Sequence, residues 1–173
     1  MSNSWLRQLL LFLLLVFLQV WLFNKIHLGG FATPLIYIYF IIKLPVDMNR
    51  NLVLLLSALL GLTIDLFIFT LGVNMLAATV VGFSRAYFLK LFSPRDIFES
   101  YSPSFFTFGK LLFFRYIYLT ILLHQVVLFF IESLSLFDSF MLFLRVLGSF
   151  VLTVPFILAF EYIKLGKIKN ERI

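Results

Sequence analysis

The chain contains no cysteine and few charged residues, and both shortages narrow what it can be. Without cysteine it has no disulfide framework, no thiol nucleophile and no thiolate metal site. Only 13% of its 173 residues are charged, whereas 62% are hydrophobic and the mean hydropathy is +1.08. A water-soluble domain of this size cannot cover so much apolar surface. The composition therefore predicts a membrane protein.

Enzyme and cofactor motifs are also missing. The chain has two histidines, no paired His-Glu metal motif, no glycine-rich phosphate loop and no Ser-His-Asp set with suitable spacing. We therefore predict a protein that is not an enzyme and holds no cofactor and no metal. A net charge of +6 would suit a nucleic acid, but in a membrane protein it is typical of cytoplasmic loops, so we expect no nucleic-acid partner.

Long apolar runs fill most of the chain. A helix needs about 20 residues to cross a hydrocarbon core of about 30 Å. Continuous apolar runs favour helices over barrel strands, in which apolar and polar residues alternate. Six segments approach the required length: Trp5–Phe23, Ile26–Leu44, Leu52–Thr70, Val73–Phe92, Leu111–Ile131 and Phe140–Phe160. We predict an all-α membrane protein, a single transmembrane domain over residues 1–173 built as a bundle of six helices.

The second segment is the weakest of the six. Gly29, Gly30 and Pro34 interrupt its start, and its uninterrupted apolar core, Phe31–Ile42, is short. It is long enough to cross the bilayer if the two glycines are helical. Otherwise it is a re-entrant hairpin, which returns to the side from which it entered.

Basic residues orient the bundle. With six spans and a cytoplasmic N-terminus, ten of the 14 Lys and Arg residues are cytoplasmic, and Lys25 alone is on the outer side. The ten are Arg7, Lys43, Arg50, Lys90, Arg95, Lys110, Lys164, Lys167, Lys169 and Arg172. This arrangement also places the C-terminus in the cytoplasm. Five spans with an outer N-terminus give the same ratio, because Arg7 then replaces Lys25 outside.

Three ionisable residues are predicted at one depth within the spans. Asp65, His124 and Arg145 lie about 7–11 Å below the outer surface of the hydrocarbon core, at 1.5 Å per helical residue. Because hydrocarbon cannot solvate a carboxylate, we expect a polar cluster with Asp65 and Arg145 as its ion pair. The pair either fixes the packing of the third and sixth spans or lines a cavity open to the outside. Asp65→Ala should then be worse than the same change combined with Arg145→Ala.

Two other interpretations of polar residues remain open. Asp65 and His124 could act as an acid and base pair on lipid, although only their shared depth supports this. Arg85 and Arg115 are expected to extend to the inner headgroups. Alternatively, Arg85 faces the bundle and joins Gln8 or Glu161.

A phenylalanine-rich loop connects the fourth and fifth spans. Residues 90–110 combine turn signals such as Ser93-Pro94 with aromatic residues and charges. This composition suits a stretch that lies on the inner leaflet. It equally suits an ordinary loop in a chain that contains 24 phenylalanines.

Two stretches resemble a known family. One runs Gly29-Gly30-Phe31-Ala32-Thr33-Pro34-Leu35-Ile36-Tyr37-Ile38-Tyr39-Phe40 and closes with Leu44-Pro45. The other runs Gly61-Leu62-Thr63-Ile64-Asp65-Leu66-Phe67 and closes with Leu71-Gly72. A proline-bounded second segment followed by a Gly-Leu-x-x-Asp run and a glycine resembles the bacterial rod shape-determining MreD family. The matching positions are Pro34, Pro45, Gly61, Asp65 and Gly72.

The resemblance implies a scaffold of the bacterial cell-elongation machinery in the cytoplasmic membrane. Such a protein would bind the membrane-anchored protein MreC and couple actin-like MreB filaments to peptidoglycan synthases, which maintains rod shape. The family's fold also resembles the substrate-binding subunits of energy-coupling factor vitamin transporters, with six helices and an outward cavity. The alternative function is therefore a small-molecule transporter subunit that needs an ATPase partner. Whether the chain forms homo-oligomers stays open.

Overall fold

Helices make up most of the part of the chain that the structure describes. A computed structural model describes residues 2–70, 72–92, 101–133 and 138–170, with side chains between residues 5 and 163. The long helices are α1 (Ser2–Trp21), α3 (Arg50–Ile68), α4 (Val73–Phe92), α6 (Lys110–Glu132) and α7 (Ser139–Asn170). The short elements are α2 (Tyr39–Lys43), α5 (Phe105–Phe108) and two 3₁₀ turns, Phe23–Lys25 and Ile36–Ile38.

Five helices in the described ranges are long and apolar enough to cross a membrane. The candidate spans are Trp5–Lys25, Arg50–Ile68, Val73–Phe92, Lys110–Glu132 and Ser139–Ile163. The prediction of a helical chain with several helices able to cross a membrane is confirmed at this level. Some predictions fall outside the described residues: those for Leu71, Arg95, Arg172 and residues 93–100 of the phenylalanine-rich loop, and those for the side chains of Lys164, Lys167 and Lys169.

The second predicted segment is not a continuous helix. Gly29 and Gly30 have φ angles of 64° and 77°, in the left-handed region that a right-handed helix excludes. Only the 3₁₀ turn Ile36–Ile38 and the five residues of α2 are helical between Ile26 and Leu44. The expectation that the two glycines are helical is therefore wrong, because they close a turn between Leu28 and Ala32 instead.

This irregular stretch nevertheless occupies the middle of the bundle. We call its inner part, Leu35–Leu44, the central segment. None of its ten residues is more than 6% exposed. The central segment runs antiparallel to α1. Gln19, late in α1, bonds Ile36, whereas the ring of Phe12, earlier in α1, lies 5.4 Å from the ring of Phe40.

The stretch runs in the same direction as α7. Thr33 bonds Ser149, Leu35 bonds Thr153, and Tyr39 bonds Glu161. The contacts on α7 run from Ser149 to Glu161, which are 12 residues apart and separated by about 18 Å of helix at 1.5 Å per residue. The stretch thus lies along α7 with little regular helix of its own.

The bundle has two chemically different ends. Contacts of the central segment with Asn74 and Arg85 show that it also runs parallel to α4. We call the end where α3 begins and α4 ends the basic end, because it carries Arg50, Lys90 and Lys110. The opposite end, where α6 finishes, is the Glu132 end.

Side chains from the long helices satisfy the backbone of the central segment. The oxygen of Gln19 accepts from the backbone N–H of Ile36 at 2.8 Å, and its nitrogen donates to the carbonyl of Pro34 at 3.1 Å. Thr153 accepts from the N–H of Leu35 at 3.0 Å. Irregular backbone at membrane depth is tolerated only where protein supplies such partners. Several polar residues inside the spans are therefore explained by the segment that they surround.

Close packing of α3 on α4 depends on Gly61. A Cβ atom at this position would lie 2.5 Å from the Cα of Met75 and against the backbone carbonyl of Asn74. Backbone atoms cannot rotate away, so Gly61→Ala should separate the two helices. We expect it to lower the free energy of unfolding by about 1–3 kcal/mol, measured by denaturant unfolding in detergent.

Gly82→Ala provides the comparison for this change. Its new methyl group would press on the side chain of Ser57, whereas the nearest backbone atom of α3, the carbonyl oxygen of Val53, would lie at an ordinary contact distance of 3.6 Å. We therefore expect a smaller loss of stability than for Gly61→Ala. Equal losses would contradict the assignment of Gly61 as the point of closest backbone approach.

Candidate functional site

Asp65 caps the start of α4 from the neighbouring helix. Its Oδ2 accepts from the backbone N–H of Met75 at 2.8 Å, and its Oδ1 accepts from that of Asn74 at 3.1 Å. Oδ1 also accepts from the Asn74 side chain at 2.9 Å and from the hydroxyl of Thr70. The carboxylate is 2% exposed. It faces the positive end of the α4 dipole. Gly72, which precedes α4 at the usual capping position, has no side chain that could accept these hydrogen bonds.

A buried chain of hydrogen bonds connects Asp65 with His124. The hydroxyl of Tyr37 donates to the Oδ1 of Asn74 at 2.8 Å and lies 2.7 Å from the Nε2 of His124. Because the hydroxyl has one hydrogen, which Asn74 receives, Nε2 of His124 must donate to Tyr37. This fixes the neutral Nε2–H tautomer and leaves Nδ1 as a buried acceptor without a partner in the structure. Every donor in the chain thus points toward the carboxylate of Asp65.

The predicted ion pair between Asp65 and Arg145 is not formed. The hydrogen bonds of Asp65 go to the start of α4, whereas the Nη1 of Arg145 lies 3.8 Å from the Oε2 of Glu132. The Arg145 side chain is 43% exposed, so solvent weakens that pair. The prediction failed because a helix N-terminus can neutralise a buried carboxylate without a cation. Of the three predicted cluster members, the structure brings together Asp65 and His124.

Tyr37→Phe tests this chain of hydrogen bonds. Removing the hydroxyl leaves Asn74 Oδ1 without its donor and His124 Nε2 without its acceptor, both in a buried place. We expect a loss of about 1–2 kcal/mol in the free energy of unfolding. Tyr118→Phe is the matched control, because the ring of Tyr118 is 40% exposed and its hydroxyl is outside the chain. Equal stability of the two variants would contradict the bridging role.

A second polar cluster lies toward the basic end. The Nζ of Lys43 is 3.1 Å from the Oε2 of Glu161, and the side chains are 4% and 3% exposed. The hydroxyl of Tyr39 donates to the same carboxylate at 2.6 Å, and Lys43 also donates to the carbonyl of Pro103. We call Lys43, Glu161 and Tyr39 the Lys43 cluster. Lys43 was counted among the cytoplasmic cations without a partner inside the protein, whereas α2 turns its side chain into the bundle.

Arg85 caps the central segment instead of extending to headgroups. It is 3% exposed; its Nε donates to the carbonyl of Ile41 at 3.1 Å and its Nη2 to those of Leu44 and Pro45. The last carbonyls of a helix lack partners within the helix, and a guanidinium satisfies several at once. The expected snorkelling of Arg85 is therefore wrong. The alternative is right that Arg85 faces the bundle but wrong that it joins Gln8 or Glu161, because its partners are backbone carbonyls. Arg115 is exposed.

The five residues on which the family resemblance rests have structural roles in packing, capping and turns. Pro34 and Pro45 bound the central segment, and their carbonyls accept from Gln19 and Arg85 respectively. The other three hold α3 and α4 together. Gly61 admits the close approach of α4, Asp65 caps α4, and Gly72 adopts a φ of 80° just before α4 begins. These residues build the framework of the bundle.

A cavity of about 400 Å³ opens at the Glu132 end. Its polar lining includes His27, Asn74, Glu132 and Arg145, and its apolar lining comes from residues such as Phe129. Arg145, which does not join Asp65, therefore belongs to this cavity. Asn74 belongs to both the cavity and the chain of hydrogen bonds, so the cavity borders the buried network.

The described end of the phenylalanine-rich loop packs against the bundle. The backbone carbonyl of Tyr101 accepts from the N–H of Val46 at 2.9 Å. Helix α5 begins with a capping box formed by Ser104 and Thr107. Phe108 is buried, whereas Phe106 is 63% exposed. The described residues of this loop thus include both packed and exposed rings.

Sequence reasoning missed Gln19, Asn74 and the Lys43 cluster. Each is a polar residue in or beside an apolar run, which is the signal that could have identified them. Among the described residues, no three His, Cys, Asp or Glu side chains form a group that could hold a metal ion. The chain matches no protein-family model, no curated protein and no solved structure.

Proposed function

We propose that this protein is a non-enzymatic membrane scaffold of the bacterial cell-elongation machinery, of the MreD type. The observation that carries the proposal is how the buried charges are used. Asp65 caps α4, Arg85 caps the central segment, and Lys43 pairs with Glu161. A catalytic or transport site needs polar groups that can release one partner and take another. These groups hold the fold instead, which suits a scaffold that acts through its outer surface.

The central segment serves as a second crossing in this proposal, which gives six crossings in all. Both termini are then cytoplasmic, with the basic end facing the cytoplasm of a bacterial cell. The contacts of this stretch along about 18 Å of α7 support the arrangement. The resulting topology is that of the energy-coupling factor substrate-binding subunits.

The partner in the proposal is an MreC-like protein with one transmembrane helix. Through it the scaffold would couple MreB filaments to peptidoglycan synthases. Affinity purification from native membranes, followed by mass spectrometry, should recover this partner, and depletion of the chain should make rod-shaped cells round. Purification of the chain alone, with unchanged cell shape after depletion, would refute the proposal.

Single-cysteine variants can locate the docking surface, because the natural chain has no cysteine. Leu14 is 51% exposed on α1, whereas its neighbour Leu15 is 1% exposed and serves as the buried control. Val126 on α6 and Phe143 on α7 are 43% and 57% exposed and sample other faces. Disulfide cross-linking to a partner that carries one cysteine in its helix should succeed on one face and fail at Leu15.

The cavity at the Glu132 end favours a second candidate, a transporter subunit. Its volume of about 400 Å³ is within the range of small-molecule sites, about 300–1,000 Å³. Glu132 and Arg145 would provide charges of both signs to a ligand. In that case an ATPase should co-purify with the chain, and a vitamin-sized ligand should raise the melting temperature. Arg145→Gln should abolish that shift without lowering the melting temperature of the free protein.

A further inference from the structure

A second cavity, at the basic end, combines apolar walls with cations. It has a volume of about 320 Å³ and lies between the first turns of α3 and the last turns of α4. The apolar walls are Val46, Met48, Val53, Gly82, Ala86 and Leu89. Arg50, Arg85 and Lys90 complete the lining. Such a combination suits an anionic group that is attached to an apolar one.

The cations have different roles in this cavity. Arg85 is already bonded to the carbonyls of the central segment and provides a fixed positive charge in the wall. Arg50 and Lys90 are exposed at the mouth. The guanidinium carbon of Arg50 lies 4.4 Å from the ring centre of Phe83 and 5.7 Å from that of Tyr87. These rings fix the position of Arg50, so little of its side-chain entropy remains to be lost on binding.

The backbone adds positive charge at the same place. Arg50 is the first residue of α3, whose 19 residues direct the positive end of the helix dipole toward the cavity region. Asp47 precedes it on an exposed turn but is not part of the cavity lining. Among the residues that the structure describes, the lining contains three cations and no carboxylate. Arginine in particular binds phosphate oxygens through its fork of N–H donors.

We propose that this cavity binds the phosphate group of an anionic phospholipid from the leaflet at the basic end. Arg50 and Lys90 hold the phosphate, and the apolar walls receive the beginning of the acyl chains. The apolar part of the site distinguishes a lipid from free phosphate, which has nothing to place against Val53, Ala86 and Leu89. Binding at this site does not depend on the partner protein or on the cavity at the Glu132 end.

Native mass spectrometry of the purified protein tests the proposal. The protein is incubated with phosphatidylglycerol and phosphatidylcholine of identical acyl chains. We expect preferential retention of phosphatidylglycerol and about a fivefold loss of that retention for Arg50→Gln and for Lys90→Gln, the value for one cation near a membrane surface. Lys110→Gln removes an exposed charge at the same end outside the cavity and should leave retention unchanged. Equal retention of both lipids, or an equal loss for Lys110→Gln, would overturn the proposal.

Two further arms distinguish a lipid from free phosphate. Ala86→Phe fills the apolar part of the cavity and keeps every cation, so it should reduce retention of phosphatidylglycerol. Excess inorganic phosphate should compete only weakly. Complete displacement by inorganic phosphate, together with unchanged retention in Ala86→Phe, would assign the cations to free phosphate and reject the lipid. The glutamine variants involve exposed side chains, so they test the cations even where Ala86→Phe fails to fold.

Discussion

Lys43→Met is expected to be among the most destabilising single substitutions in the described part of the chain. It leaves the carboxylate of Glu161 buried, with the hydroxyl of Tyr39 as its remaining partner in the cluster. Removing one member of a buried ion pair costs about 3–5 kcal/mol, because the other charge stays out of water without compensation. The free energy of unfolding in detergent, measured with increasing denaturant, should fall by this amount.

A double variant separates the pair from its surroundings. Lys43→Met combined with Glu161→Gln contains no buried charge at this place, and the amide oxygen can still accept from Tyr39. We expect the double variant to regain most of the lost stability, because a neutral replacement of a buried pair is often nearly harmless. Lys110→Met, at an exposed position at the same end, should have almost no effect. A double variant no more stable than Lys43→Met would show that the two charges do not interact.

The Lys43 cluster also shows where sequence analysis reached its limit. Apolar runs predicted the long helices well, since α4 matches its predicted bounds of Val73 and Phe92. That prediction depends only on length and hydropathy, which each segment carries in itself. Lys43 was counted only as a cytoplasmic charge near the end of an apolar segment. Its burial depends on Glu161, 118 residues later in the chain, and no local pattern contains such a pairing.

The prediction that the second apolar segment is helical from its start failed for a related reason. Hydropathy cannot distinguish an apolar helix from an apolar irregular segment when both are buried. Gly29, Gly30 and Pro34 indicated an interruption of the helix at the start of this segment. In the structure the two glycines have positive φ angles, which a right-handed helix excludes. Distant side chains such as Gln19 and Thr153 satisfy the backbone that a helix would have satisfied by itself. A polar residue in a span therefore indicates a buried partner, but the sequence does not tell whether that partner is a side chain or backbone.

The prediction for Asp65 failed for the same reason, because its carboxylate binds backbone N–H groups and not the side chain of Arg145. Replacing Asp65 should cause the second large loss of stability. Asp65→Ala deprives the N–H groups of Asn74 and Met75 of their acceptor at the start of α4. Loss of a helix cap costs about 0.5–2 kcal/mol, and each buried donor left unpaired adds to it. We therefore expect a loss of about 2–4 kcal/mol in the free energy of unfolding. Asp65→Asn keeps one acceptor oxygen and should lose less.

Combining Asp65→Ala with Arg145→Ala decides between the two explanations of this carboxylate. If Asp65 paired with Arg145, the double variant would be more stable than Asp65→Ala alone, because the stranded cation would be gone. In the structure Asp65 faces α4 and Arg145 faces Glu132, so the two changes share no partner. Their effects on the free energy of unfolding should then add within about 0.3–0.5 kcal/mol. A double variant that regains stability would restore the ion pair and remove the capping role on which the proposed scaffold depends.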